Sequence, residues 1–325
     1  MRVPTKIQGL LVVAACIAGL LGAARADASE GLRPPSGGML YGPAGVLRAP
    51  AHVPYYGRTS AVTGFSNHNM RFNNSPVIYD SLVVNQAGYT SSYIYSEGFE
   101  CCSTKEFGDG LIFTSPNARI KYVWLVMNSW ACESGTWWGD NCQTTPGAKF
   151  SLPITMNIYS VANYPSGPFG VGSLIATRTQ TFSIPYRPSK NDRICQGPNA
   201  GAFLGPVDKE CDNGLSSIIS FNFSLPKLTL PPAAIITVAF NTSDAGYNPI
   251  GDNTACFSTQ QGCPYDSLNV SSNGTGGFVG GNVDPNGVVV NYGNPYFYCS
   301  GTGSGLVIDT PCWTDYHPEI KVTSF

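Results

Sequence analysis

The stretch IISFNFSL, Ile218 to Leu225, alternates between two kinds of side chain along its length. Successive side chains of a β-strand point to opposite faces of the sheet, so this period of two gives one apolar and one mainly polar face. Such a strand is typical of an antiparallel sheet that is packed on one side and in water on the other. The residues predicted to be buried are Ile219, Phe221, Phe223 and Leu225.

Similar strand-like runs are found on both sides of this stretch. Short β-branched and aromatic runs separated by turn residues recur from Pro76 onward, and no segment has a sustained helical period. Strands are predicted at residues 92–96, 111–114, 120–129, 154–161, 174–184, 217–224, 234–241, 267–270, 288–292, 306–308 and 319–325. We therefore expect residues 76–325 to form a single all-β domain, an antiparallel β-sandwich of jelly-roll type.

The N-terminus has the features of an export signal. Two basic residues precede an apolar run at residues 7–24, which ends in the sequence AARADASE. The small-x-small pattern predicts a signal peptide over residues 1–26, and a lipid anchor at Cys16 is the alternative. No later run reaches the roughly 18 apolar residues of a spanning helix, so no membrane span is predicted in the mature chain. Residues 27–75 are rich in Pro, Gly and Asn, which predicts an irregular arm or linker.

The charge balance excludes one class of partner. The chain has 18 Lys and Arg against 20 Asp and Glu, and residues 1–26 hold three of the basic residues and no acidic one. The predicted mature chain thus carries 15 basic and 20 acidic residues, a net charge of −5. Nucleic-acid binding depends on clustered Lys and Arg that neutralise phosphates, so nucleic acid is not an expected partner.

The cysteines predict a disulfide-stapled fold. Ten cysteines remain after loss of Cys16, which is typical of an exported disulfide framework, and none has the C-x2-4-C spacing of a zinc knuckle. The adjacent Cys101 and Cys102 are expected to bond to each other. The alternative is a strand, in which they face opposite ways and need other partners. The local pairs predicted from spacing are Cys132–Cys142, Cys195–Cys211, Cys256–Cys263 and Cys299–Cys312.

Several motifs, in this order, resemble a group of uncharacterised secreted bacterial proteins. They are STKEFGDGLIF, VMNSWACESGTWWGDNCQTTPGAKFSLPITMNIYSV, GSLIATRTQTFSIPYRPS, CDNGLSSIISFNFS, VAFNTSDAGYNPIG and YDSLNV. The resemblance covers most of residues 76–325 and implies a secreted β-sandwich without implying a reaction. The pairs Cys132–Cys142 and Cys195–Cys211 belong to that pattern, whereas the Cys101-Cys102 doublet does not.

Few residues in the sequence point to catalysis. There is no G-x-S-x-G nucleophile motif, and His317, the one histidine outside the predicted arm, is expected on a surface turn before Pro318. The clustered acidic residues are compatible with a second function, that of a carbohydrate-active hydrolase. Such an enzyme needs two carboxylates facing one groove. In EFGD we expect Gly108 to form a turn, while the acids accept backbone hydrogens or hold calcium. The calcium candidates are Glu106, Asp109 and Asp252.

Aromatic residues on loops are the remaining candidate site. Flat apolar rings on loops fixed by disulfides suit a glycan or a surface protein as ligand, although they also suit the role of closing the end of the core. We therefore expect a secreted non-enzymatic binding module, with a structural envelope or coat component and the hydrolase as alternatives. The candidate ligand-binding residues are Trp137, Trp138, Tyr292, Tyr296, Tyr298 and Trp313.

Overall fold

The computed structural model describes eleven segments of the chain. All of them lie within one compact unit, Leu32–Phe325. Among these residues, no helix is long and apolar enough to cross a membrane. The described segments are residues 55–57, 59–60, 75–82, 94–99, 104–135, 141–206, 209–224, 227–240, 268–272, 278–314 and 316–325.

Strands dominate the described segments. Short 3-10 turns occur at Gly197–Asn199 and Pro295–Phe297. In chain order the strands are β1 (Tyr55–Gly57), β2 (Thr59–Ser60), β3 (Val77–Asp80), β4 (Ile94–Glu97), β5 (Thr104–Ile112), β6 (Ile120–Ser129), β7 (Lys149–Ala162), β8 (Gly170–Pro185), β9 (Phe203–Leu204), β10 (Cys211–Asp212), β11 (Gly214–Asn222), β12 (Ala233–Ala239), β13 (Leu268–Ser271), β14 (Gly281–Asn282), β15 (Val288–Tyr292), β16 (Val307–Asp309) and β17 (Ile320–Ser324).

The strands form two large sheets and one small ribbon. The first sheet has eight strands in the order β1-β4-β13-β6-β11-β2, and β17 lies between β6 and β3. The second sheet has seven strands in the order β16-β15-β5-β12-β7-β8, with β14 also paired to β5. All pairings in these sheets are antiparallel except the short one between β11 and β2, and β9 pairs with β10 separately. The predicted antiparallel all-β fold is confirmed, and the jelly-roll topology stays a prediction.

The core lies where the two sheets face each other. Ile219, Phe221 and Phe223 are buried in it, as the alternation of IISFNFSL predicts. Phe182 of β8 meets Phe221 of β11 edge to face, with ring centroids 4.9 Å apart, so the two sheets pack directly. Aromatic pairs in this geometry contribute about 0.5–1.5 kcal/mol beyond the area that they bury.

The prediction of a turn at EFGD is wrong, because these residues lie inside β5. Gly108 pairs with Thr237 on one side and with Val289 on the other. A Cβ atom at Gly108 would lie 2.0 Å from the carbonyl oxygen of Ile236, so close approach of the backbones requires the glycine here. Phe107 points into the core.

The predicted arm contains two short strands. β1 and β2 fall within residues 27–75, yet they pair with β4 and β11 in the first sheet. β3 was absent from the predicted strands, since its four residues are too few to show a period. Ile78 and Tyr79 are nevertheless both buried, so this short strand belongs to the core.

Three of the predicted disulfides are confirmed. Their Cα atoms are 5.5, 5.6 and 5.7 Å apart, within the usual range of about 4.4–6.8 Å. Each closes a short loop and is expected to stabilise the fold by about 2–4 kcal/mol. The confirmed pairs are Cys132–Cys142, Cys195–Cys211 and Cys299–Cys312. The predictions for Cys101, Cys102, Cys256 and Cys263 lie outside the described residues.

Candidate functional site

The outer face of the first sheet carries two aromatic rings on its central strand, β6. Val123 and Leu125 of β6 point into the core, so the alternating residues Tyr122 and Trp124 point outward. Both outward rings are half-buried, and their centroids are 5.4 Å apart. We call Tyr122, Trp124 and the nearby Phe325 the aromatic platform.

Polar residues of the neighbouring strands flank these rings. On β11, Asn222 lies opposite Tyr122 and Ser220 lies opposite Trp124. On β17, Lys321 lies opposite Trp124. Asn222 is exposed, while Ser220 and Lys321 are half-buried. The strand register thus places groups that donate and accept hydrogen bonds on both sides of two flat apolar rings.

Two cations lie at the end of the platform. The Arg119 guanidinium carbon is 4.9 Å from the centre of the Phe325 ring. Lys121 Nζ is 5.5 Å from that centre and 5.8 Å from the centre of the Tyr122 ring. The backbone N–H of Phe325 donates to the Arg119 carbonyl oxygen at 3.0 Å, and the Phe325 side chain is 52% exposed. Lys121 Nζ also donates to Ser75 Oγ at 3.1 Å.

Three of the loop aromatics that the sequence predicts as ligand-binding residues are not on the surface. Tyr292, Tyr298 and Trp313 are buried in the core, so their rings are not open to a ligand, which corrects that expectation. Tyr296 is 66% exposed. Trp137 and Trp138 lie outside the described residues, and their predicted role stays a prediction.

These three aromatic residues can be buried because their polar groups form hydrogen bonds inside the protein. The Tyr298 hydroxyl donates to the Gly305 carbonyl oxygen at 2.6 Å and accepts the Tyr292 N–H at 3.0 Å. Trp313 Nε1 donates to Asp309 Oδ2 at 3.1 Å. Tyr and Trp can be buried when their O–H and N–H groups are satisfied in this way. These residues therefore close one end of the core, the alternative interpretation of the sequence.

A buried carboxylate, Glu97, belongs to the same end of the core. Thr104 Oγ1 donates to its Oε1 at 2.7 Å, and the Tyr292 hydroxyl is also hydrogen-bonded to it. Burial raises the pKa of Glu97 to about 7, assisted by the negative charge of Asp309 and opposed by these two hydrogen bonds. The side chain of Glu97 therefore changes charge near neutral pH.

His317 is buried, which corrects the prediction of a surface histidine. Its Nδ1 lies 2.9 Å from Asp109 Oδ2, and its Nε2 lies 3.0 Å from the Pro285 carbonyl oxygen. A carbonyl can only accept, so Nε2 carries a proton and a second proton lies between Nδ1 and the carboxylate. Because Asp109 is on β5 and His317 just precedes β17, the pair connects the two sheets.

The pKa values of this pair reflect burial and mutual contact. Burial raises the pKa of Asp109. Burial alone would lower the pKa of His317, but the hydrogen bond to Asp109 and the charge of that carboxylate outweigh it, so the pKa of His317 is raised. Both ring nitrogens are engaged and only 1% of the residue is exposed, so His317 acts as a structural bridge rather than as a general base.

Glu106 and Asp109 do not converge on a single calcium ion. Asp109 faces the core, whereas Glu106 lies on the other face of β5. There, Glu106 Oε1 accepts from Asn157 Nδ2 and Tyr159 Oη, each at 2.9 Å, and also from Thr237 Oγ1. All three donors bond to the same carboxylate oxygen, on the face of β5 opposite to Asp109. The third calcium candidate, Asp252, lies outside the described residues.

One other group of metal-ligand type is present among the described residues. Cys299, Asp309 and Cys312 lie close together, but the two sulfurs are joined in a disulfide. The Asp309 carboxylate accepts the backbone N–H of Cys299 and the indole N–H of Trp313. A disulfide and an occupied carboxylate are a poor ligand set, since metal-binding cysteines must be free thiolates.

The described carboxylates that influence each other are largely buried. Asp309 raises the pKa of Glu97, and Asp284 raises that of Asp109. Glu97, Asp309 and Asp109 are all buried, so neither pair presents two acids to an open groove. This arrangement does not favour the hydrolase hypothesis, because a polysaccharide has to reach both acids.

A shallow polar cavity lies beside the Cys132–Cys142 disulfide. Its volume is about 570 Å³, and its lining includes Glu133, Gln143, Thr144 and Ser189. Glu133 Oε2 accepts the Thr145 N–H at 2.6 Å, so part of this lining is held in place. The cavity has polar side chains but no described aromatic ring, and in this it differs from the platform.

Sequence reasoning missed both Tyr122 and Trp124. The pattern was visible, because IKYVWLVM alternates these two large rings with core residues.

No protein-family model, no curated protein and no solved structure matches this chain. The resemblance to secreted bacterial proteins therefore stays a prediction, and the candidate site rests on its own geometry.

Proposed function

We propose that the protein is a secreted, non-enzymatic β-sandwich module that binds a glycan on the aromatic platform. The observation that carries the proposal is the outward pair Tyr122 and Trp124, flanked by Ser220 and Asn222. A sugar ring has C–H groups on its faces and hydroxyls around its edge. It therefore matches flat apolar rings bordered by groups that donate and accept hydrogen bonds.

Export is supported by two independent features. The predicted signal peptide covers residues 1–26. Three local disulfides occur in the described segments, and disulfides persist mainly in oxidising compartments outside the cytosol. A glycan of a cell surface or of the surrounding matrix is then a ligand that the protein would meet.

Pull-down on a set of insoluble polysaccharides tests this function. Soluble fragments of each polysaccharide that retains the protein are then titrated to measure affinity. Trp124→Ala is expected to weaken binding about tenfold, which corresponds to about 1.4 kcal/mol. Phe169→Ala, which removes an exposed aromatic ring just before β8 in the second sheet, serves as the matched control and is expected to bind like wild type. Thermal unfolding of each variant checks that the fold is kept.

The loop prediction is compared in the same assay. A double variant, Trp137→Ala with Trp138→Ala, is expected to retain binding. Binding that is lost in this variant but kept in Trp124→Ala would move the site to the disulfide loop. Retention by no polysaccharide, or equal binding by wild type and Trp124→Ala, would overturn the proposal.

A structural envelope component is a second candidate, favoured by the edge strand β8. This strand runs from Gly170 to Pro185 and is the last strand of the second sheet in the described chain. Leu174 on it is 53% exposed, and Ile175 is also exposed. Long apolar edge strands tend to pair with other chains. Concentration-dependent sedimentation that is abolished in Leu174→Lys would support self-assembly, and a monomer at all concentrations would oppose it.

A further inference from the structure

The aromatic platform has positive charge at one end. Arg119 is exposed and Lys121 is half-buried, and both lie over the Phe325 ring. Among the described residues the ion pairs are Lys190–Asp192, His317–Asp109 and Lys321–Asp80, so these two cations have no described side-chain carboxylate within 4.0 Å. The chain as a whole has a net charge of −2, so this local excess runs against the overall balance.

The rings hold these charges in position. The Phe325 ring lies close to both cations, and Lys121 Nζ is almost equally distant from Phe325 and Tyr122. Cation–π contacts of this kind contribute about 0.5–1 kcal/mol at exposed sites, enough to restrict long side chains. The guanidinium group keeps its fork of N–H donors, which matches the two oxygens of a carboxylate.

We infer that the ligand of the aromatic platform is an acidic polysaccharide whose negative charge is carried by carboxylates, as in a polymer of uronic acids. This inference rests on the proposed function and adds the class of ligand. The sugar rings lie on Tyr122 and Trp124, and a carboxylate of a neighbouring unit is bound by Arg119 and Lys121. The charge complementarity supplies specificity and a faster encounter in addition to affinity.

Polygalacturonate and its methyl ester make a matched pair of probes, since they share a backbone and differ in charge. Wild type is expected to bind polygalacturonate at least about tenfold more tightly at low salt. Raising the ionic strength is expected to reduce that preference, because salt screens exposed charges. Arg119→Gln combined with Lys121→Gln is expected to abolish the preference while retaining binding of the methyl ester.

The matched control removes two positive charges elsewhere. Lys149→Gln with Lys190→Gln changes the net charge equally on residues away from the platform, and the preference for polygalacturonate is expected to persist. Equal affinity of wild type for both polymers would overturn the inference, and so would a preference that survives in Arg119→Gln with Lys121→Gln. Tighter binding of dextran sulfate than of polygalacturonate would overturn the carboxylate assignment.

Trp124→Ala separates this inference from the function on which it rests. If Trp124→Ala binds both polymers more weakly while wild type binds the two equally, the platform remains a glycan site but the inference of an acidic ligand is overturned. Unchanged binding of both polymers in Trp124→Ala removes the platform itself.

Discussion

Two aromatic-rich regions of the molecule have opposite roles. The end of the core around Tyr292, Tyr298 and Trp313 lies in Gly- and Pro-rich chain, which is typical of surface loops, yet its rings are buried. Tyr122 and Trp124 lie within a strand whose alternate residues form the core, yet they face outward. Whether a ring is exposed therefore depends on which face its backbone presents and on partners for its polar group, rather than on the loop character of the chain.

The largest expected contrast is in stability. Trp313→Ala removes a buried ring that contacts Phe107 at 5.6 Å between centroids and leaves Asp309 without its indole donor. We expect a loss of about 4 kcal/mol in the free energy of unfolding. Trp124→Ala is expected to cost about 1 kcal/mol or less, since its ring is half-exposed. Urea denaturation measures both values, and similar losses in the two variants would contradict the assignment of one ring to the core and the other to the surface.

His317 tests how firmly the segment after Trp313 is held. His317→Ala leaves the Asp109 carboxylate buried without its partner, so we expect a loss of at least about 3 kcal/mol in the free energy of unfolding. In a double-mutant cycle with Asp109→Asn, the two residues are expected to show a coupling energy of about 1 kcal/mol or more. Additive losses would mean that the contact does not hold the sheets together.

The pH dependence of this pair has a definite sign. The pKa values of Asp109 and His317 are both raised in the folded protein, so the folded state retains the shared proton more tightly. The resulting stabilisation is complete below the pKa values of the unfolded chain and is lost as pH rises through the folded values. Fluorescence-monitored unfolding is expected to show a smaller loss in the double variant Asp109→Asn with His317→Ala, which lacks both titrating groups, than in wild type.

Much of the fold could be predicted because its determinants are local. The period of two in IISFNFSL indicates the buried face of β11, and short cysteine spacings indicate three disulfides. Gly108 was misinterpreted because a glycine required for close approach of two strands has the same local context as a glycine in a turn. The contact between Asp109 and His317 joins residues 208 positions apart, and no local pattern reveals it.

The candidate site could be predicted only in part. The sequence indicated the right kind of residue, aromatic rings in a fold stapled by disulfides, but assigned them to loops. Tyr298 is buried because its hydroxyl reaches Gly305, and Trp313 because its indole reaches Asp309. These partners depend on the tertiary fold. Tyr122 and Trp124 were accessible to reasoning from alternation, since two large rings on the face opposite to the core of a single strand indicate a surface with a use.

Glu97 sharpens the contrast between the two regions through its charge. Its pKa of about 7 in the folded protein exceeds the value of 4.5 typical of an unfolded chain. The proton therefore stabilises the folded state fully below about pH 4.5, and this contribution is lost as pH rises through about 7. Because each pKa unit corresponds to about 1.4 kcal/mol, we expect wild type to lose about 3–4 kcal/mol over this range.

Glu97→Gln provides the control for that loss. The variant keeps the shape of the side chain without its charge, so it is expected to match wild type at about pH 4 and to be more stable at about pH 8. Denaturant titrations at both pH values measure the difference. A constant offset between the two proteins across this range would show that Glu97 does not titrate in the core. Trp124→Ala is expected to follow the pH profile of wild type.

The smallest effect is expected at Tyr296, which lies in the same loop as the buried rings but is exposed. It sits in the 3-10 turn Pro295–Phe297, and its backbone N–H donates to Asn294 Oδ1 at 3.0 Å, so the turn does not depend on the ring. Tyr296→Ala is expected to change the free energy of unfolding by about 0.5 kcal/mol or less. It is also expected to leave glycan binding unchanged. Loss of binding in Tyr296→Ala, with Trp124→Ala unaffected, would reverse the comparison, because the loop end would then carry the ligand and the sheet face would not.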